Sequence, residues 1–140
     1  MQVKIDTNAK DVAKRIGKEG KELKASFKRA LSITAQTGIN IILDRTSKGT
    51  GFKGGKFKDY TPIYAAFRAS RGRGTSPDLQ FTGKMLGSMT SRADGKRAEI
   101  FFRGAAESKK AAMNNKSRPF FGFNKQEEKQ LAKVFFKALK

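Results

Sequence analysis

NKQEEKQLAKVFFKAL, residues 124–139, is the stretch that decides the fold. Leu131, Val134, Phe135, Ala138 and Leu139 recur at the i, i+3, i+4, i+7, i+8 spacing that places them on one face of an α-helix. Asn124 and Glu127 have the spacing of a capping box, with Asn in place of Ser or Thr. Glu127 and Glu128 fall in the first turn, where carboxylates meet the positive end of the helix dipole. Burying the four larger apolar side chains would contribute roughly 6–12 kcal/mol before entropy, at about 1.5–3 kcal/mol each. The helix therefore has to dock, either on a sheet of its own chain or on another subunit.

A sheet is legible just upstream. Residues 90–104, TSRADGKRAEIFFRG, read as a hairpin with its turn near 93–96, where Asp94-Gly95 is expected to supply the positive φ of a tight turn. Along its second strand Ala98, Ile100 and Phe102 point to one face, and Glu99, Phe101 and Arg103 to the other. Residues 105–113 are helix-prone, and 118–123, Arg-Pro-Phe-Phe-Gly-Phe, form a compact aromatic turn expected to clamp the last helix. At the other end, Val3 and Ile5 alternate with polar residues as a short strand. A long helix is expected over about 9–43, with Val12, Ile16, Leu23, Phe27, Leu31, Ile41 and Ile42 on its apolar side. Gly17, Gly20 and Gly38 each cost about 1 kcal/mol relative to alanine, so a break or kink is open. A helix of that length exceeds what one small domain can cover, and part of it is expected to face a neighbour.

The 140 residues suit one domain, and the fold class is α+β: an N-terminal and a C-terminal helix packed on a small, mostly antiparallel sheet. Two Gly- and Lys/Arg-rich loops interrupt it, at about 46–58 and 71–77, with a short helix over 63–70 entered through Pro62. The first loop is expected to be mobile in the free subunit and ordered against a partner. No stretch reaches the roughly 20 apolar residues of a membrane span, and the first residues lack the features of a signal peptide. The expectation is a soluble protein made in the cytoplasm.

Thirty-one Lys and Arg against twelve Asp and Glu give a net charge of +19, and every quarter of the chain is net positive. Such a field favours polyanions. The candidates are nucleic acid, an acidic protein partner, or simply a solvated basic surface. Without His or Cys, the usual general base, thiolate nucleophile and zinc ligands are missing, so no enzyme activity, metal or cofactor is expected. Residues 49–54 spell G-x-G-x-x-G, yet neither a strand before them nor a helix after them supports a phosphate loop. Cations interleave with aromatics at Lys48, Phe52, Lys53, Lys56, Phe57, Tyr60, Tyr64, Arg68, Arg71 and Arg73. These are the interface or DNA-proximal candidates, since such a mixture can stack on bases and hold phosphates or anchor a protein neighbour. The core candidates are Phe27, Leu31, Ile100, Phe102, Phe120, Leu131, Val134 and Phe135.

The order of features resembles the virion-morphogenesis and tail-completion proteins of long-tailed phages. Gly54, Phe57, Tyr60, Tyr64 and Arg68 are similar to that family's glycine loop and aromatic positions. Leu79-Gln80-Phe81-Thr82-Gly83-Lys84-Met85-Leu86-Gly87-Ser88 follows with its Leu, Thr-Gly, Leu/Met and Ser pattern. The hairpin and Ala-rich segment come next, and Arg118-Pro119-Phe120-Phe121-Gly122 matches the closing turn into a final helix. The segment 105–115 departs from the family pattern, as does the high positive charge. The resemblance implies a structural neck subunit of the virion, assembled in the host cytoplasm. It implies a homo-oligomeric ring, commonly a hexamer, that completes the tail and joins the tail tube to the head connector. Contact with packaged DNA is open, no membrane is involved, and the alternative is a basic nucleic-acid-binding protein.

Overall fold

The structure, a computed structural model, describes residues 1–6 and 19–139. The fold is α+β. Strand β1 (Gln2–Asp6) is followed by helices α1 (Glu19–Ser47), α2 (Pro62–Ser70) and α3 (Lys84–Gly87). The hairpin β2 (Met89–Ala93) and β3 (Arg97–Phe102) leads to α4 (Ala105–Ser117) and α5 (Lys125–Ala138). The first part of the expected long helix, with Val12, Ile16 and Gly17, lies outside the described residues. The described part runs through Gly20 and Gly38 without a break and ends one turn later than the pattern predicts, at Ser47.

The chain contacts sort into two compact units, neither of them one continuous segment. The first comprises Met1–Asn40, Thr90–Phe101 and Lys125–Lys140, and it holds the antiparallel sheet in the order β1-β3-β2. Val3 pairs with Ile100 and Ile5 with Ala98. Phe27, Ala30, Leu31, Thr34, Ala35 and Ile39 are buried along one face of α1, at helical spacing. The Thr34 hydroxyl is tolerated there because it donates to Ala30 O at 2.7 Å. Ala98, Ile100 and Leu131 are also buried, as their positions predict. Val134 and Phe135 are only half-buried and Phe136 is 69% exposed, so the α5 stripe is covered at one end rather than along its length. Phe135 meets Phe27 edge-on, with centroids 5.5 Å apart.

The hairpin turn corrects one expectation. Gly95 does not have a positive φ. A Cβ there would lie 3.1 Å from the Lys24 Cβ, so the glycine lets the turn approach α1 without displacing Lys24. The turn is held instead by the Asp94 carboxylate, which accepts N–H bonds from Lys96 at 2.7 Å and Arg97 at 2.9 Å. These two bonds hold the Asp94 carboxyl below its ordinary value.

The second unit comprises Ile41–Met89 and Phe102–Asn124. Its core is the aromatic cluster of Phe102, Phe120 and Phe121, with Phe102 and Phe121 centroids 4.9 Å apart. Asn115 Oδ1 accepts the N–H groups of both Phe120 and Phe121 at 3.0 Å, which fixes the turn that delivers the two rings. Arg45 Nη2 donates to Phe120 O at 2.6 Å and to Gly122 O at 2.9 Å.

That same turn packs against the Gly/Lys-rich loop. Gly51 lies so close to Pro119 O that a Cβ would sit 2.5 Å from it, and the Phe52 ring would be 2.9 Å from a Cβ on Gly122. Phe52 N–H donates to Pro119 O at 3.1 Å, Gly51 N–H to Gly55 O at 2.9 Å, and Phe57 N–H to Gly49 O at 2.7 Å. A Thr50–Lys56 bridge closes the loop. Gly51 and Gly122 therefore serve close packing of backbone and ring within the unit itself, whereas Gly54 and Gly55 have open space around them.

Candidate functional site: an arginine–aromatic recess

Helix α2 buries one side chain, and it is an arginine. The helix starts where Thr61 Oγ1 accepts the Tyr64 N–H and Pro62 takes the first turn without needing a donor. Its apolar residues Ile63, Tyr64 and Phe67 point outward, with Ile63 86% exposed. Arg68 is 1% exposed, and its guanidinium is shared among three acceptors. Nε donates to Gly74 O at 2.7 Å, and Nη2 to Gln80 O at 3.1 Å and Asp78 Oδ1 at 3.2 Å. The same guanidinium lies 4.9 Å from the Tyr60 centroid and 5.9 Å from those of Tyr64 and Phe81. A planar ion with several divergent donors can satisfy this geometry, and a lysine cannot.

Around that buried cation runs an alternation of rings and guanidiniums. Tyr60 and Tyr64 meet edge-on at 4.9 Å. Tyr64 stacks on Phe67 at 6.2 Å, and Phe67 on Phe81 at 5.6 Å with planes 17° apart. Arg71 lies 5.2 Å over Phe67, Arg73 5.5 Å over Phe81 and Arg118 4.8 Å over Tyr60. Arg118 also donates to Lys58 O at 2.7 Å and Asp59 O at 3.0 Å, which locks the segment entering α2. Each such contact is worth about 0.5–1 kcal/mol when exposed and about 2 when desolvated. These rings border an open recess of about 500 Å³ with Leu79 and Met85 among its apolar walls. Leu79 has a φ of 58°, a conformation costly for a side chain with a Cβ, and its N–H donates to the Tyr60 hydroxyl at 3.2 Å. Glu107, the one carboxylate among the described residues lining the recess, pairs with Lys110 at 3.4 Å, while its Oε2 is buried without a hydrogen bond.

The ten surface candidates separate into two groups. Tyr60, Tyr64, Arg68, Arg71 and Arg73 come together around the recess. Lys48, Phe52, Lys53, Lys56 and Phe57 belong to the packed loop: Lys48 pairs with Asp44 at 3.0 Å, and Phe52 has Arg45 and Lys53 near its ring. Burial removes two of the ten from any accessible surface. Phe57 is 6% exposed because the loop folds over it, and Arg68 is the hub of the cluster rather than a contact for a polyanion. Phe67, Phe81, Lys110 and Arg118 also belong to the recess and were not among the candidates. Phe67 was within reach of the sequence, one helical turn beyond Tyr64. Phe81 and Arg118 belong to segments whose motifs are visible in the sequence, but nothing local joins either of them to α2.

Among the described residues no cluster of His, Cys, Asp and Glu could hold a metal ion, and no helix is long and apolar enough to cross a membrane. No family model, curated protein or solved structure matches the chain.

Proposed function

We propose that this chain is a non-enzymatic structural subunit of a phage neck, which completes the tail and joins the tail tube to the head connector as a member of a homo-oligomeric ring. The observation that carries the reading is α2. A helix that presents Ile63, Tyr64 and Phe67 to solvent and anchors itself through a buried arginine is built to meet another surface. Tyr and Arg are the residue types that dominate binding energy at protein interfaces. The ring is what the resemblance implies; heterologous side-to-side contacts elsewhere on the subunit would close it by rotation, leaving α2 for a different partner. The resemblance to tail-completion proteins, from about Gly54 onward and over the first helix in outline, supplies the biological setting, and Arg71 and Arg73 beside exposed rings are compatible with DNA passing nearby. Complementation tests the proposal: added protein should join purified tails to heads in extracts lacking it. No gain in joined particles would refute it.

The rival reading, a basic nucleic-acid-binding protein, draws on the +19 charge. A dedicated binder should hold duplex DNA at about 0.15 M salt, with a log–log salt slope of about −0.9 per phosphate neutralised. A neck subunit should bind it weakly there, because exposed charges are screened beyond roughly 8 Å.

A further inference from the structure

We infer that the recess beside α2 is a docking site for an acidic protein segment carrying one large apolar side chain flanked by carboxylates. The inference rests on reading the α2 surface as an interface and names the chemistry of what occupies it.

Three features select this occupant. The first is charge. The unit that holds the recess has fourteen Lys and Arg against four Asp and Glu. Three of those four acids are already paired, Asp44 with Lys48, Asp78 with Arg68 and Glu107 with Lys110. Arg118 on the recess and Arg73 on the adjoining hollow have no carboxylate among these pairs and face an incoming one, while Lys110 would have to be shared with Glu107. The second is shape. The interior offers Leu79, Met85 and the rings of Tyr60 and Phe81 to an apolar side chain, and concave apolar pockets rimmed by polar groups are where such anchors bind. The third is the state of the rings. Phe67 and Phe81 stack on each other, and Arg71 and Arg73 lie over them. A nucleobase would have to displace a guanidinium to stack there, whereas an aliphatic or aromatic side chain entering the recess needs no such exchange. A second copy of this chain is a poor occupant. It carries the same excess of positive charge, and its one adjacent acidic pair, Glu127-Glu128, is flanked by Lys125 and Lys129.

The experiment uses the full chain and a fluorescein-labelled synthetic peptide with one phenylalanine between two pairs of glutamates, at about 0.15 M salt. Anisotropy should show saturable binding. Replacing the peptide's phenylalanine by alanine should weaken it about tenfold, the loss of one anchor of about 1.4 kcal/mol. The all-lysine version should not bind. Phe67→Ala should weaken binding several-fold. Glu107→Gln, which removes the recess carboxylate while keeping its shape, should tighten it about two- to threefold, a gain that general damage to the fold would not produce. Equal binding of the alanine peptide, a loss of affinity in Glu107→Gln, or tighter binding of labelled oligothymidylate sensitive to Phe67→Ala would overturn the proposal. Complementation is read separately. Head–tail joining without peptide binding removes the recess proposal and spares the neck reading. Peptide binding with the expected variant pattern but no joining removes the neck reading and supports the recess.

Discussion

Replacing Arg68 tests whether the recess is a built structure. Arg68→Ala removes a charge-assisted hydrogen bond to each of Gly74 O, Asp78 Oδ1 and Gln80 O, and three ring contacts of the guanidinium. Hydrogen bonds to charged groups are worth about 1.5–3 kcal/mol each net, which would suggest a large total. Two facts reduce it. Asp78 has a side chain 35% exposed, so water resolvates it when the arginine is gone, and Gly74 sits in an exposed loop. In the intact protein, burying the guanidinium already costs several kcal/mol of desolvation. The expected destabilisation is about 3–5 kcal/mol, the range for breaking a buried pair from one side. Arg68→Lys should recover under half of it, because one ammonium cannot reach three divergent acceptors. Asp78→Asn should cost only about 1 kcal/mol, and the double variant with Arg68→Ala should be less than additive. Urea unfolding followed by circular dichroism compares all four variants with the wild type. A loss below about 1 kcal/mol for Arg68→Ala, or full recovery by Arg68→Lys, would mean that the cluster of rings stands without its cation.

Three further expectations follow from the same structure. Phe135→Ala should cost about 2 kcal/mol in urea unfolding, roughly half the 3–5 of a fully buried aromatic, because the ring is half-buried and keeps an edge-on contact with Phe27. Native-state hydrogen exchange on the isolated protein should find the Gly51, Phe52 and Phe57 amides protected, since each donates to a backbone carbonyl; exchange at free-peptide rates would restore the idea of a mobile loop. The folded-state pKa of Asp94 is depressed from 3.8, so its contribution to stability is complete above that value and is lost as pH falls through the lower folded-state value. The stability gap between wild type and Asp94→Ala should accordingly shrink between pH 5 and strongly acidic conditions, and a gap independent of pH would assign the turn to something other than the carboxylate.

Periodicity made the helices and strands legible because each is a local repeat set against a buried face. Phe27 and Leu31 on α1, Ala98, Ile100 and Phe102 on β3, and Leu131 on α5 are buried where the spacing puts them. Periodicity does not say how far coverage extends along a face, which is why Val134 and Phe135 sit at half-burial while the stripe itself is correct. Gly/Lys-rich composition hides its packing for a different reason. Gly51 and Gly122 look like flexibility in one dimension, but they are the places where Pro119 O and the Phe52 ring approach too closely for any side chain. Their partners lie about seventy residues away, and no local window holds both.

The recess exposes the limit of charge counting most clearly. In the sequence, Arg68, Arg71 and Arg73 are three equivalent cations of one basic run. In the fold they divide by what their side chains reach. Arg68, facing inward from α2, finds two carbonyls and a carboxylate and is, with Phe120, one of the two largest fully buried side chains. Arg71 and Arg73 fall beyond the helix end, where Gly72 takes a φ of 69° and turns the chain so that one guanidinium lies over Phe67 and the other over Phe81. A guanidinium held over a ring keeps its charge and its in-plane donors while its orientation is restricted, so less entropy is lost when a carboxylate arrives. Shifting the glycine by one position would leave the composition and net charge unchanged but put a side chain with a Cβ at this positive φ. Composition counts these three cations alike, whereas the fold buries one and sets the other two over rings on either side of a glycine.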